Sequence, residues 1–238
     1  MKLLLNKLTP DNYERLKDQV LTILLEGKDQ QAKIINVIFK KACLEEKYCK
    51  LYTALCDYLA RQEVKAEGLA DVKQSRFRKD LIQECKSVFD EFFQVPVFDD
   101  KMDKEDREEA VFKFRKRLFG NVKFIGELFL KRMLGRNIVL QVLNELLEEE
   151  KRAAESGEER SAAGLSISVE GVCIMLNAVG KRLDKKSSKG EKAKGMVMEF
   201  EEIAEKLDEM KARVESRIRF LIINIQERRA KGWEENAI

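Results

Sequence analysis

The chain has 238 residues, enough to bury a sizeable core in one domain or two, and its net charge of +3 does not by itself announce nucleic acid. Two prolines, 44% apolar and 37% charged residues suit amphipathic helices rather than a β-sandwich. Histidine is absent, which excludes Ser-His-Asp and Cys-His nucleophiles and the usual histidine-containing catalytic zinc site.

Thr9-Pro10 is a helix start, with threonine as the cap and proline in the first turn. Leu16, Val20, Ile23 and Leu24 then recur at helical spacing up to Gly27. A second helix carries Ile35, Ile38, Phe39 and Ala42, and a third carries Leu51, Leu55 and Leu59. After a polar break at Glu67-Gly68, Phe77, Leu81, Cys85, Val88 and Phe92 mark a fourth helix ending before Pro96. The acid-rich stretch Asp99 to Glu109 has no core stripe and reads as a solvated loop or the lead-in to a helix. Leu118, Val122, Ile125 and Phe129 resume the pattern. Gly120-Asn121 inside it costs about 1 kcal/mol of helix propensity, so close packing or a bend is expected there.

Val139, Leu143, Leu146 and Leu147 form the next stripe, followed from Lys151 to Ser168 by a small, polar segment read as a loop. Val169, Val172, Cys173, Leu176 and Leu183 mark another helix, and Lys185 to Lys194 a basic loop. Two closing helices carry Ile203, Leu207 and Met210, then Val214, Ile218, Leu221 and Ile225. The expectation is nine or ten helices without a strand. Helix pairs spaced about 40 residues apart suit a single all-α solenoid of about five HEAT-like antiparallel pairs over residues 1–238, with a helical bundle as the alternative.

Other classes are disfavoured by what the chain lacks. There is no GxGxxG and no GxxxxGK[ST], so no phosphate-cradling loop is visible. Cys43, Cys49, Cys56, Cys85 and Cys173 include no close CxxC pair and suit buried thiols in a reducing compartment. Met1 to Leu5 is too short for a signal peptide, and no apolar run reaches membrane-spanning length. The acids fall in charged helical runs rather than facing pairs, which argues against a carboxylate-dependent hydrolase. A cytoplasmic protein with no active site, metal or cofactor of its own is expected.

Three stretches are more specific. They are Leu5-Asn6-Lys7-Leu8-Thr9-Pro10-Asp11-Asn12-Tyr13 with Ile35 to Ala42; Phe77-Arg78-Lys79 with Gly120-Asn121-Val122-Lys123-Phe124-Ile125-Gly126-Glu127-Leu128-Phe129; and Ser216-Arg217-Ile218-Arg219-Phe220-Leu221 with Gly232-Trp233. In this order and spacing they resemble the middle domain of eukaryotic translation initiation factor 4G, from about Leu3 to Trp233. The resemblance implies a crescent of five HEAT-like repeats that binds the DEAD-box RNA helicase initiation factor 4A. One end would hold the helicase's carboxy-terminal lobe and the other its amino-terminal lobe, leaving the ATPase chemistry to the partner. Two departures stand out: the Lys151–Ser168 segment is longer than the family suggests, and Pro96 to Glu109 does not align.

Carried onto this chain, the resemblance implies carboxy-terminal-lobe contacts by Asn6, Lys7, Thr9, Phe39, Arg78, Asn121, Lys123 and Glu127. It implies amino-terminal-lobe contacts by Arg217, Arg219 and Phe220. Plainer readings stand beside these. Phe39 suits a core aromatic, Thr9 a helix cap, and Gly120-Asn121 tight packing. Lys123 and Glu127 are four apart and suit a surface ion pair. Arg217 and Phe220 share a helix face from which Arg219 is turned away. Lys181, Arg182, Lys185, Lys186, Lys189, Lys192 and Lys194 face only Asp184 and Glu191 as counter-charges. They are a solvated loop or an mRNA-backbone contact. No tyrosine begins a YxxxxL pattern, so contact with the cap-binding subunit would lie outside this chain. A monomer is expected.

Overall fold

The computed structural model describes residues 2–92, 103–155, 162–184 and 200–234. Among these residues there are ten α-helices and no strand. The chain forms two compact units, Met1–Met133 and Leu134–Ile238.

The first unit opens with α1 (Lys2–Asn6) and a 3-10 turn at Pro10–Asn12. Helix α2 (Tyr13–Leu25) buries Leu16, Val20 and Leu24, the predicted stripe. Gly27, at φ 146°, joins it to α3 (Lys28–Leu44) with almost no connector, a conformation that favours glycine. Helix α3 buries Ile34, Ile35, Ile38, Phe39 and Ala42. Helix α4 (Cys49–Ala66) contributes Tyr52, Leu55, Cys56 and Leu59, and α5 (Arg76–Glu91) contributes Phe77, Leu81, Cys85 and Phe89.

Helix α6 (Lys104–Leu130) decides two readings that the sequence left open. It is unbroken across Gly120-Asn121, and it begins fourteen residues before its first buried side chain, Leu118. Lys104 to Glu109 are therefore helical rather than loop. Asp103 caps the helix by accepting from the Asp106 N–H at 2.9 Å, and Glu105 and Asp106 complement the positive helix end. Close packing, not a bend, explains Gly120. A Cβ there would stand 2.0 Å from the Cys43 carbonyl oxygen, so only glycine lets α6 lie this near α3.

The second unit contains α7 (Arg136–Glu155), α8 (Ala162–Leu183), α9 (Phe200–Met210) and α10 (Ser216–Ala230). The expected Lys151–Ser168 loop is mostly helix: α7 continues to Glu155 and α8 starts at Ala162. Alanine, glutamate, lysine and arginine all favour helix there, and the small, polar composition hid it. Helix α8 packs on α7, α9 and α10 through Val169, Val172, Cys173, Leu176 and Val179. In α10 the buried stripe is Ile218, Ile222 and Ile225, while Leu221 is only half-buried. Among the described residues no helix is long and apolar enough to cross a membrane.

Candidate partner-binding surfaces

In the first unit, Asn6 and Lys7 end α1 and are exposed. Thr9 is half-buried and starts the 3-10 turn. The side chain of Asn12 closes this turn, accepting from the Thr9 N–H at 2.8 Å and donating to the Lys7 carbonyl at 2.5 Å. Asn12 lies within the stretch Leu5 to Tyr13, and its role comes from a turn that helical spacing does not show. Phe39 is 4% exposed and meets Phe124 edge-on, with ring centres 5.8 Å apart. It is a core aromatic.

Asn121 is completely buried, and neither its amide nitrogen nor its oxygen has a hydrogen-bond partner. Glu127 is also buried. The expected Lys123–Glu127 pair does not form. Lys123 instead reaches Glu46, at the α3–α4 connection, at 2.5 Å. Arg78 is half-buried and donates from Nε to the Met133 carbonyl at 2.7 Å, so it braces the end of α6. Burial lowers its basicity.

Buried Glu63 on α4 was missed. Its carboxylate accepts from the Phe77 N–H at 3.1 and 3.4 Å, and Ser75 Oγ accepts from the Arg78 N–H at 3.0 Å. Together they satisfy the first turn of α5 and so set where Arg78 stands. Of the eight positions expected to meet the carboxy-terminal lobe, Phe39, Asn121 and Glu127 are interior. Only Asn6 and Lys7 are fully at the surface.

In the second unit, Arg217 grips Glu170 of α8 with both ends of its guanidinium, at 2.7 and 2.6 Å. Glu170 is nearly buried, so the pair fixes the start of α10 against α8. Arg219 donates from Nε to the Lys211 carbonyl at 2.9 Å. Phe220 is 65% exposed. Ile174, Asn177, Leu221, Asn224 and Arg228 line part of a surface hollow of about 350 Å³ between α8 and α10.

Lys181 is exposed and borders a neighbouring hollow with Arg228 and Trp233, and Arg182 is half-buried. Lys185, Lys186, Lys189, Lys192 and Lys194 lie outside the described residues. Beside Lys181, Asp184 accepts from Arg229 Nε and Nη2 at 3.2 and 3.1 Å and from Trp233 Nε1 at 2.9 Å. Burial works to raise the Asp184 pKa, but these hydrogen bonds and the Arg229 charge outweigh it and hold the carboxyl below its ordinary value.

All five cysteines are buried and unbridged. Burial pushes the Cys49 and Cys173 thiols up to about 12. Among the described residues, no group of three or more Cys, Asp or Glu could hold a metal ion.

Residues 1–231 match the MIF4G domain family. The chain belongs to that family. Similar to this MIF4G domain are eukaryotic translation initiation factor 4G of Arabidopsis thaliana, 28% identical, and eukaryotic translation initiation factor 4 gamma of Dictyostelium discoideum, 29% identical. Eukaryotic translation initiation factor 4 gamma 2 of Homo sapiens is 31% identical. The matches cover 99%, 97% and 97% of this chain, but the chain spans only 13%, 18% and 25% of those relatives. The crystal structure of the MIF4G domain of Trypanosoma cruzi translation initiation factor EIF4G5 shares the fold. Its TM-score is 0.59 at 21% identity, covering 97% of this chain and 93% of that one.

Proposed function

We propose that this MIF4G domain is a non-catalytic scaffold of cap-dependent translation initiation that binds the DEAD-box RNA helicase initiation factor 4A. The observation that carries the reading is the family match across residues 1–231, which takes in both units. On this reading they serve as one cytoplasmic domain, and the ATPase chemistry stays with the helicase. A surface that meets both helicase lobes best when they are nearly closed raises the population of that state. Exposed Phe220, flanked by Arg219, is the kind of aromatic anchor that dominates binding energy at interfaces. Asn6 and Lys7 are the accessible part of the contact set in the first unit. The interior residues of that set act by shaping α3 and α6 rather than by touching the partner.

The test is a titration of the purified chain with initiation factor 4A, read by calorimetry and by the helicase's ATPase rate. Binding at micromolar concentration with a raised ATPase rate is the expected result. Phe220→Ala should weaken it about tenfold or more without altering the helical circular dichroism. No binding, or binding indifferent to both Phe220→Ala and Lys7→Glu, would overturn the reading.

A second reading has its own observation. Exposed Lys181, with Arg228 and Lys231, lines the two hollows at the α8–α10 end of the second unit, a suitable contact for an mRNA backbone. It requires RNA affinity that falls steeply with salt and is weakened by Lys181→Glu.

A further inference from the structure

The first half of α6 carries little of the core. One side is anchored: Phe114 meets Phe92 edge-on at 5.5 Å, and Arg117 lies over the Phe92 ring at 5.7 Å and reaches Glu91 at 3.6 Å. The other side faces outward and centres on Phe112, which is 64% exposed. Glu105, Glu108, Glu109, Arg115, Lys116 and Phe119 all lie within about 60° of Phe112 around a helix turning 100° per residue. Glu105, Glu108, Glu109 and Lys116 are exposed, and Arg115 and Phe119 half-buried. Along this face the order is acid before Phe112 and base after it.

We propose that this face of α6 is a self-association surface whose partner is a second copy of the chain. Two such faces laid antiparallel about Phe112 are related by a two-fold axis, which sets each flank of the face against the same flank of the other copy with the helix direction reversed. Phe112 then meets Phe112, Glu109 meets Lys116 on one flank, and Glu108 meets Arg115 on the other. Each copy supplies both the acidic and the basic half, the self-complementarity that an isologous interface requires.

Within one copy, Glu109 already bonds Lys113 at 2.6 Å and Glu108 lies 3.9 Å from Lys104. These four side chains are between 61% and 90% exposed, so the pairs are weak and readily exchanged for contacts with the second copy. Arg115 stacks over the Phe119 ring at 5.6 Å, which pre-forms the basic end of the face. Four turns of one helix fall short of a standard interface area, so the dimer is a weak one, forming at tens to hundreds of micromolar, on the order of 0.1 mM.

The test is sedimentation equilibrium of the whole chain at low and moderate salt. The expected result is a concentration-dependent rise toward twice the monomer mass that weakens with salt. Glu109→Lys and Lys116→Glu should each weaken self-association about tenfold, because each places like charges opposite one another twice. The two single variants mixed in equal amounts should pair with each other, and the double variant E109K/K116E should recover pairing with itself. Phe112→Ser should lower association in every background. All these side chains are solvent-facing, and unchanged circular dichroism will show that the fold is intact. A wild-type chain that stays monomeric at about 0.5 mM in low salt would overturn the proposal. So would a dimer indifferent to these variants, or a failure of the mixed variants to pair.

Discussion

Gly120 in the first unit and Gly180 in the second both stand where a methyl group would not fit, but against different things. A Cβ at Gly120 would meet the Cys43 backbone at 2.0 Å, whereas at Gly180 it would meet the far edge of the Trp233 ring at 2.2 Å. Backbone inside a packed helix pair cannot move aside, while a side-chain ring, even one only 4% exposed, can be displaced without moving a helix. The predicted helicase contacts divide in the same way. In the first unit three of eight are interior, and two others carry bonds that brace helices. In the second, Arg217 and Arg219 clasp neighbours while Phe220 is left outside. A contact set that is largely interior in one unit and ends on an exposed aromatic in the other is a contrast that substitutions can break.

Phe39→Ala should have the largest effect, about 4 kcal/mol of lost stability, because the cavity opens beside Phe124 at the α3–α6 packing. Urea denaturation measures it, and a loss below about 1 kcal/mol would mean that the ring is not the core element described here. Gly120→Ala should follow at about 3 kcal/mol, since α6 must be pushed off α3. Gly180→Ala should cost only about 1 kcal/mol while changing the emission of Trp233, the chain's single tryptophan. Equal losses at the two glycines would erase the distinction between the units.

The apolar stripes were legible because a helix repeats its buried face every three or four residues. Leu16, Val20 and Leu24, or Phe77, Leu81 and Cys85, declare themselves that way. The first half of α6 was not, because it buries almost nothing. Its only marks were a capping aspartate and acids in the first turn, which an acid-rich loop shares. Phe39 shows why a contact site is harder to read than a fold. An aromatic on an apolar stripe looks alike whether a partner or the chain's own α6 covers it. Phe220 was more legible than Phe39, since it lies off the stripe of Ile218, Ile222 and Ile225 and must face outward. Asn12, Glu46 and Glu63 were hidden for a different reason. Their partners lie across turns or on other elements, which spacing along one helix does not reveal.

A smaller effect concerns pH. Asp184 has its folded-state pKa depressed, so its bonds to Arg229 and Trp233 stabilise the second unit above the ordinary carboxylate pKa of about 3.9. That stabilisation fades as pH falls through the lower folded value. Because these groups are partly exposed, no more than about 1 kcal/mol is at stake. Trp233 emission should shift as the solution is acidified below about pH 4, and Asp184→Asn should flatten that dependence. An identical acid titration in the two proteins would show that the indole is held by packing on Gly180 and Phe200 instead.

The smallest effect on stability is expected at Phe220. Its ring is mostly in water and holds no neighbouring helix, so Phe220→Ala should change stability by no more than about 0.5 kcal/mol. Its value lies in the pairing with Phe39→Ala, because the two remove the same ring from opposite kinds of site. If the helicase reading holds, Phe220→Ala loses binding while its unfolding midpoint stays in place. Phe39→Ala shifts the midpoint and loses binding only to the extent that it unfolds, which binding measured at low temperature will separate. A stable Phe39→Ala protein that cannot bind, beside a Phe220→Ala protein that binds normally, would reverse the assignment. The working surface would then belong to the first unit, where the rigid interior would have to open to meet its partner.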